Sequence, residues 1–315
     1  MGVFASKKDK LMSLEQAVGL IQDGDIIALG GKLSAREPMG IIREILRQGK
    51  RRLHSIGGAH GMDIDLLCAG GCLGKVQHSY IGFESDFGLA PNYRRACESG
   101  SVQVKETDCA AMTMQLRAAQ FGLPFMPTPL VAGTDILKYN DEVKQMSCPY
   151  TGQKVNLLPA MRPNVVILHA HKADEEGNIK ILPPFFADAL LAETAEKVIV
   201  SVEEIITRDE MKKIGSSIPY YLVAAIVELP LGAHPTSCYP IYTYDRAHMD
   251  QYVKLAQRGG DAFRSQYLDK FVYRNKSHSE YLEAIGGEKK RMELSRWNEN
   301  KECWLELMEK ETVAE

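Results

Sequence analysis

The chain has 315 residues, 45% of them hydrophobic and 25% charged, the composition of a soluble globular protein with room for one large α/β domain or two modest ones. A net charge of −3 gives no electrostatic case for nucleic acid. No apolar run reaches the ~18 residues a membrane span needs.

The N-terminal MGVFASKKDK lacks the apolar core of a signal peptide, and its Met1-Gly2 with Ser6 only superficially fits a myristoylation pattern. Seven cysteines (Cys68, Cys72, Cys97, Cys109, Cys148, Cys238 and Cys303) are scattered, with no CxxC pair. A disulfide framework or structural zinc is therefore not expected, and a reducing cytoplasm is the default.

In chain order, Ser13 with Gln16 reads as a capping box opening a first helix, on which Leu14, Ala17, Val18 and Ile21 share a face. Asp23-Gly24-Asp25 is a turn into an apolar strand, Ile26 to Leu29, that ends on Gly30-Gly31. Pro38 starts a second helix running from Met39 to Leu46, and the basic cluster Arg47, Lys50, Arg51 and Arg52 around Gly49 closes it. Leu53 to Ile56 reads as a short strand ending in Gly57-Gly58, followed by a helix carrying Ile64, Leu66, Leu67 and Cys68 and closed by Gly70-Gly71.

Strand Val76 to Phe83, helix Asn92 to Gly100, strand Val102 to Glu106 and helix Met112 to Phe121 follow. Pro127 and Pro129 make Phe125 to Val131 a loop or edge segment, and residues 134–158 suit a small hairpin or lid. Val165 to His169, Ala189 to Ala195, Val198 to Val202 and Val223 to Leu229 repeat strand, helix, strand, strand. The tail from Asp261 is charged and helical, with no continuous apolar face visible. The alternation predicts an α/β fold: a mostly parallel open sheet with helices on both faces, in one domain with an inserted subregion near 134–158 and a helical extension from about 261.

Gly30-Gly31 at the carboxyl end of a strand gives a substrate access to bare backbone, at the end where open α/β sheets bind ligands. The residues alone suggest either a main-chain anion or oxyanion site, or a tight turn. His169 and His171 flank Ala170 without a third metal ligand in view, and His234, between Gly-Ala and Pro, reads as a structural histidine.

The stretch Asp23 to Pro38 resembles the first signature of the family I coenzyme A transferases, alpha-subunit type. Asp23-Gly24, the apolar run, Gly30-Gly31 and Pro38 match; Lys32 stands where Phe is usual and Arg36 where Gly is usual. Arg36 points toward the glutaconate CoA-transferase branch, whose alpha subunits are similar in carrying a basic residue there. Further blocks resemble the family in the expected order. They are Gly122-Leu123-Pro124-Phe125 with Pro127-Thr128; Ala170, Ala173-Asp174 and Gly177-Asn178; and Glu193, Ala195, Val198-Ile199-Val200 and Glu203-Glu204-Ile205. The last is Gly232-Ala233-His234-Pro235 with Cys238-Tyr239, Tyr242, Tyr244 and Asp245, so that the likeness runs from about Leu14 to Tyr281.

The resemblance implies a sheet of the ribose-5-phosphate isomerase-like type and covalent catalysis by a glutamate in a Ser-Glu-Asn-Gly motif on a beta subunit. That motif is missing here; its nearest counterpart is Phe83-Glu84-Ser85-Asp86-Phe87-Gly88, which makes Glu84 a nucleophile or, more simply, a polar residue at a strand end. The resemblance implies that Gly30 and Gly31 supply the oxyanion hole. Arg36 would pair with a substrate carboxylate, Lys32 would add positive potential, and Ser34 would hydrogen-bond substrate. It implies a beta-type partner in a hetero-oligomer of alpha–beta pairs. Acyl-CoA and a carboxylic acid would be the substrates, with no resident cofactor. The chain also resembles alpha-type subunits of ring-cleaving hydrolases of steroid degradation, in which an acid on this chain, Glu106, would matter more.

Overall fold

The computed structural model describes residues 10–296. The N-terminal segment 1–9 and Cys303 lie outside them. The strands are β1 Ile26–Leu29, β2 Leu53–His60, β3 Leu73–Ile81, β4 Gln103–Val104, β5 Phe125–Thr128, β6 Lys144–Ser147, β7 Lys154–Pro159, β8 Val165–Asp174, β9 Ile179–Lys180, β10 Lys197–Ile206 and β11 Ala225–Glu228. Helices α1 Leu14–Gly19, α2 Met39–Arg47, α3 Met62–Ala69, α4 Glu84–Phe87, α5 Pro91–Glu98, α6 Cys109–Gln120 and α7 Ile136–Tyr139 lie in the first half. Helices α8 Asp188–Ala192, α9 Arg208–Ile214, α10 Arg246–Arg258, α11 Gly260–Phe263, α12 His278–Ile285 and α13 Gly287–Ser295 complete it, with a π-helical segment, Arg264–Tyr273, after α11.

One sheet has the order β11-β10-β8-β1-β2-β3-β4, with β9 antiparallel on β8. All its other pairs are parallel. The mostly parallel sheet read from the sequence is therefore present. Strand alternation distributes its residues between two cores. Ile27, Leu29, Val165, Ile167 and Ile199 join α1, α2, α3 and α10 on one face. Ala28, Val166, Leu168, Val198 and Val200 join Met112 and Leu116 of α6 and Leu191 of α8 on the other.

From β1 the chain winds outward through β2, β3 and β4, then returns to place β8 on the opposite side of β1. The β1/β8 junction is thus the point where the winding reverses, and ligands of open α/β sheets bind at the carboxyl ends there.

Local departures from the sequence reading have physical causes. Strand β2 runs through Gly57 and Gly58 to His60, because the glycine makes room for a neighbour: a Cβ on Gly57 would lie 2.4 Å from His78 Cε1. Strand β4 is only two residues long, so Glu106 sits in the loop before α6. The hairpin β6–β7 lies within 134–158, but β5 is its third strand, so the inserted sheet begins earlier, at Phe125. The tail has an apolar face after all. Phe263, Tyr267, Leu268, Phe271 and Val272 are buried, at spacings of four and five that suit a π-helix and escape a 3.6-residue template.

Candidate active site

The loop after β1 is a tight turn. Lys32 N–H donates to Ala35 O at 2.8 Å and Ala35 N–H returns to Lys32 O at 2.9 Å. Gly31 has φ +79°, and a Cβ there would fall 2.4 Å from Arg36 O, so no other residue fits without moving backbone. Leu33 (φ 53°) and Arg36 (φ 55°) take left-handed conformations with side chains, strain that marks the loop as held by its surroundings. What holds it is the segment after β11: Arg36 N–H donates to Ser237 O at 2.7 Å, and Ser237 N–H to Ser34 O at 2.8 Å.

The predicted site residues meet unequally. Gly31 and Lys32 line a cavity of about 270 Å³ with Gly58, His60, Cys109 and Phe186. Ser34 and Glu84 line a second of about 90 Å³ with Leu33, Phe83, Phe87 and Tyr244. Glu84 lies past β3, in a left-handed conformation (φ 54°). Glu106 is exposed and lines neither cavity; its main-chain carbonyl accepts Asn140 Nδ2 at 2.8 Å. Asp108, two residues on, caps α6 by accepting the Ala110 and Ala111 N–H groups.

Arg36 and the two glycines already have partners within the chain. Arg36 is 2% exposed and its carboxylate partner is Asp188, with Nη2 2.8 Å from Asp188 Oδ2 and Nη1 3.2 Å from Oδ1. It also donates to His169 O at 3.2 Å, so the guanidinium braces the loop from within. The glycine N–H groups are occupied too. Gly30 N–H donates to Ile167 O at 2.9 Å in the sheet, and Gly31 N–H to Asp188 Oδ1 at 3.1 Å.

The sequence reading missed Asp188 and a buried chain of three side chains. His60, at the carboxyl end of β2, has Nδ1 2.7 Å from Asp63 Oδ2. Glu37 Oε1 accepts Gly61 N–H at 2.9 Å and Oε2 accepts Asp63 N–H at 3.2 Å. Burial, and then the neighbouring Asp63 charge, push the Glu37 carboxyl well above the ordinary range. A histidine closing an apolar strand, three residues before an aspartate at a helix start, is the signal that could have been read.

Two other polar clusters are structural. Glu203 accepts from His169 Nε2 at 2.7 Å, Leu231 N–H at 2.9 Å and the Tyr242 hydroxyl at 2.9 Å. Burial alone would raise its carboxyl, but these donors hold it below the usual range. His234, fully buried, bonds the Tyr281 hydroxyl at 2.7 Å and Asp245 at 3.2 Å. The Ala173-Asp174 to Gly177-Asn178 block is a turn, in which Asp174 Oδ1 accepts three successive N–H groups.

The coenzyme A transferase family model matches residues 11–229, from before β1 to the end of β11. A protein from Archaeoglobus fulgidus is 39% identical over 292 residues, covering 91% of this chain, which spans 65% of that relative's length. The A-type subunit of glutaconate CoA-transferase from Acidaminococcus fermentans is 32% identical over 298 residues, 88% of this chain and 92% of its own. A cholesterol ring-cleaving hydrolase IpdA subunit from Rhodococcus jostii is 30% identical over 89% of this chain and 97% of its own. The crystal structure of the Acidaminococcus enzyme matches with a TM-score of 0.86 at 30% identity, over 90% of this chain and 95% of that one. The chain belongs to the coenzyme A transferase family, on the side of its alpha-type subunits. No helix among the described residues is long and apolar enough to cross a membrane.

Proposed function

We propose that this chain is the alpha subunit of a hetero-oligomeric CoA-transferase that moves CoA between an acyl-CoA and a carboxylic acid. A beta-type partner supplies the nucleophilic glutamate. Its carboxylate attacks the thioester carbonyl, and the C–S bond breaks to leave a mixed anhydride and CoA thiolate. The thiolate then attacks the glutamyl carbonyl, releasing the first acid and leaving a glutamyl-CoA thioester, which a second acid reverses. No resident cofactor is needed, and a reducing cytoplasm suits the free cysteines Cys68, Cys72, Cys97, Cys109, Cys148 and Cys238.

The observation that carries this reading is the likeness to a glutaconate CoA-transferase chain over nearly the full length of both. The loop Gly30 to Arg36 forms the wall against which the thioester lies. An oxyanion at Gly31 has to displace Asp188 Oδ1 from that N–H, whereas the Gly30 N–H stays in the sheet. The hydrolase reading rests on the 30% identity to the ring-cleaving relative and asks for an acid on this chain; Glu106 is exposed in the loop ahead of α6.

The test uses the chain co-purified with its beta-type partner, incubated with acyl-CoA and reduced with borohydride. A partner glutamate found as its alcohol by mass spectrometry supports transfer. Ring opening or hydrolysis with no reduced glutamate overturns it. The isolated chain is expected to be inactive; robust transfer by it alone redirects attention to Glu84.

A further inference from the structure

We propose that His60 is a general base that delivers water to a thioester carbonyl in the cavity beside Gly31 and Lys32, giving the assembled enzyme an acyl-CoA hydrolase activity. The inference goes beyond CoA transfer, which needs no base to activate water.

Three observations carry it. His60 lines the 270 Å³ cavity at the carboxyl ends of β1 and β2, and its Nε2 has no hydrogen-bond partner among the described residues. Its Nδ1 is tied to Asp63 at 2.7 Å, and Asp63 is itself fixed, with Oδ1 accepting the Ile64 N–H at 2.7 Å. Glu37, the third member, has its carboxyl pushed well above the ordinary range by burial and then by the neighbouring Asp63 charge. In the 2.7 Å contact Asp63 Oδ2 accepts from His60 Nδ1–H, so Nε2 is the ring nitrogen left without a protein partner among the described residues. This is the arrangement by which an aspartate sets the tautomer of a catalytic histidine.

The surrounding charges agree with that assignment. His78 meets His60 edge to face at 5.0 Å between ring centroids, and burial holds its imidazole well below the ordinary range, so it brings no competing positive charge. Lys32, on the same cavity, has no ion-pair partner among the described residues and stands ready for the negative tetrahedral oxygen. Leu29, Met112, Phe186 and Leu191 supply an apolar wall for the acyl chain. The remaining group able to titrate there is the Cys109 thiol, 2.9 Å from Ser79 Oγ.

The step balances without a further reagent. His60 Nε2 takes a proton from water as the oxygen bonds to the thioester carbonyl carbon. The tetrahedral intermediate collapses with cleavage of the C–S bond, and the proton on Nε2 passes to the departing thiolate. The products are a carboxylic acid and CoA.

The experiment measures free-thiol release from acetyl-, glutaryl- and benzoyl-CoA by the complex with its beta-type partner, with no acceptor acid present. Wild-type complex is expected to release thiol from at least one of them, His60→Gln to lower that rate about 100-fold or more, and Asp63→Asn to lower it through the wrong tautomer. Melting temperature and partner association, read in parallel, separate a lost base from a lost fold. Wild-type rates in both variants, or no release by the wild type above the uncatalysed rate, overturn the proposal. Should neither variant assemble, diethyl pyrocarbonate on the wild-type complex decides: carbethoxylation of His60 that stops thiol release and is blocked by CoA supports it, and full modification of His60 with release unchanged sinks it. CoA transfer to an added acid is assayed alongside. Transfer without hydrolysis removes this inference alone, and hydrolysis without transfer removes the transferase reading alone.

Discussion

The Asp188 carboxylate links two ends of one loop: Oδ2 lies 2.8 Å from Arg36 Nη2, while Oδ1 accepts the Gly31 N–H at 3.1 Å. Both charges are buried, with side-chain exposures of 2% and 3%. Removing one partner strands the other. Asp188→Ala is therefore expected to cost about 3–5 kcal/mol in denaturant melts, and an Arg36→Met/Asp188→Leu double variant to recover much of it. Equal stability of Asp188→Ala and wild type would show that the pair does not hold the loop.

Gly31→Ala tests the turn itself. The added Cβ meets Arg36 O, and φ +79° strains any side chain, so a loss of about 1–3 kcal/mol is expected. Displacement of the loop should also lower turnover of the assembled complex by up to about 100-fold. A complex that assembles and turns over normally would remove Gly31 from the site.

Stability should fall in mild acid. Burial lowers His54, His171 and His278 to about 4 from an ordinary 6.5. His171 shows why: Nε2–H donates to Tyr239 O at 2.6 Å while Nδ1 accepts the Leu182 N–H at 3.1 Å, and a second proton would set donor against donor. Between pH 6.5 and 4 the unfolded chain binds more protons than the folded one, so stability rises with pH across that window and is lost as pH drops through it. His171 alone accounts for about 3 kcal/mol at the acid end. His171→Gln should flatten the profile of melting temperature against pH; an unaltered slope would exclude His171 as a contributor.

Phe271→Ala probes the C-terminal layer. Phe271 is 2% exposed and packs against Tyr267 and His248, with centroids at 5.1 and 4.8 Å. Truncation should cost about 3–5 kcal/mol by urea denaturation. A cost below about 1 kcal/mol would mean that this layer adds little to the fold.

The framework of the fold was legible where side-chain pattern and backbone chemistry agree. Ile26 to Leu29 is a strand with the predicted ends because an apolar run led by two β-branched residues lies between a turn and two glycines. Ser13 and Gln16 form their capping box because both partners are local. What escaped was long range. Arg36 reads as a cation in want of a carboxylate, and nothing local shows that Asp188, 152 residues away, supplies one. His60 reads as part of a loop until Gly57 is seen to keep the strand going past His78. The buried face of Arg264–Tyr273 was hidden by its helical period.

Strand β1 lies between β2 and β8, and it meets β8 at Ile27–Val165 and β2 at Ile27–Ser55. During synthesis one edge of β1 can be satisfied early, by β2, but the other has no mate until β8, which ends at Asp174, has left the ribosome. For the interval in which the small antiparallel sheet is being made, the future centre of the protein is an open, apolar edge. Ribosome-bound chains stalled before Val165 should therefore recruit holding chaperones, and those stalled beyond Ile206 should release them.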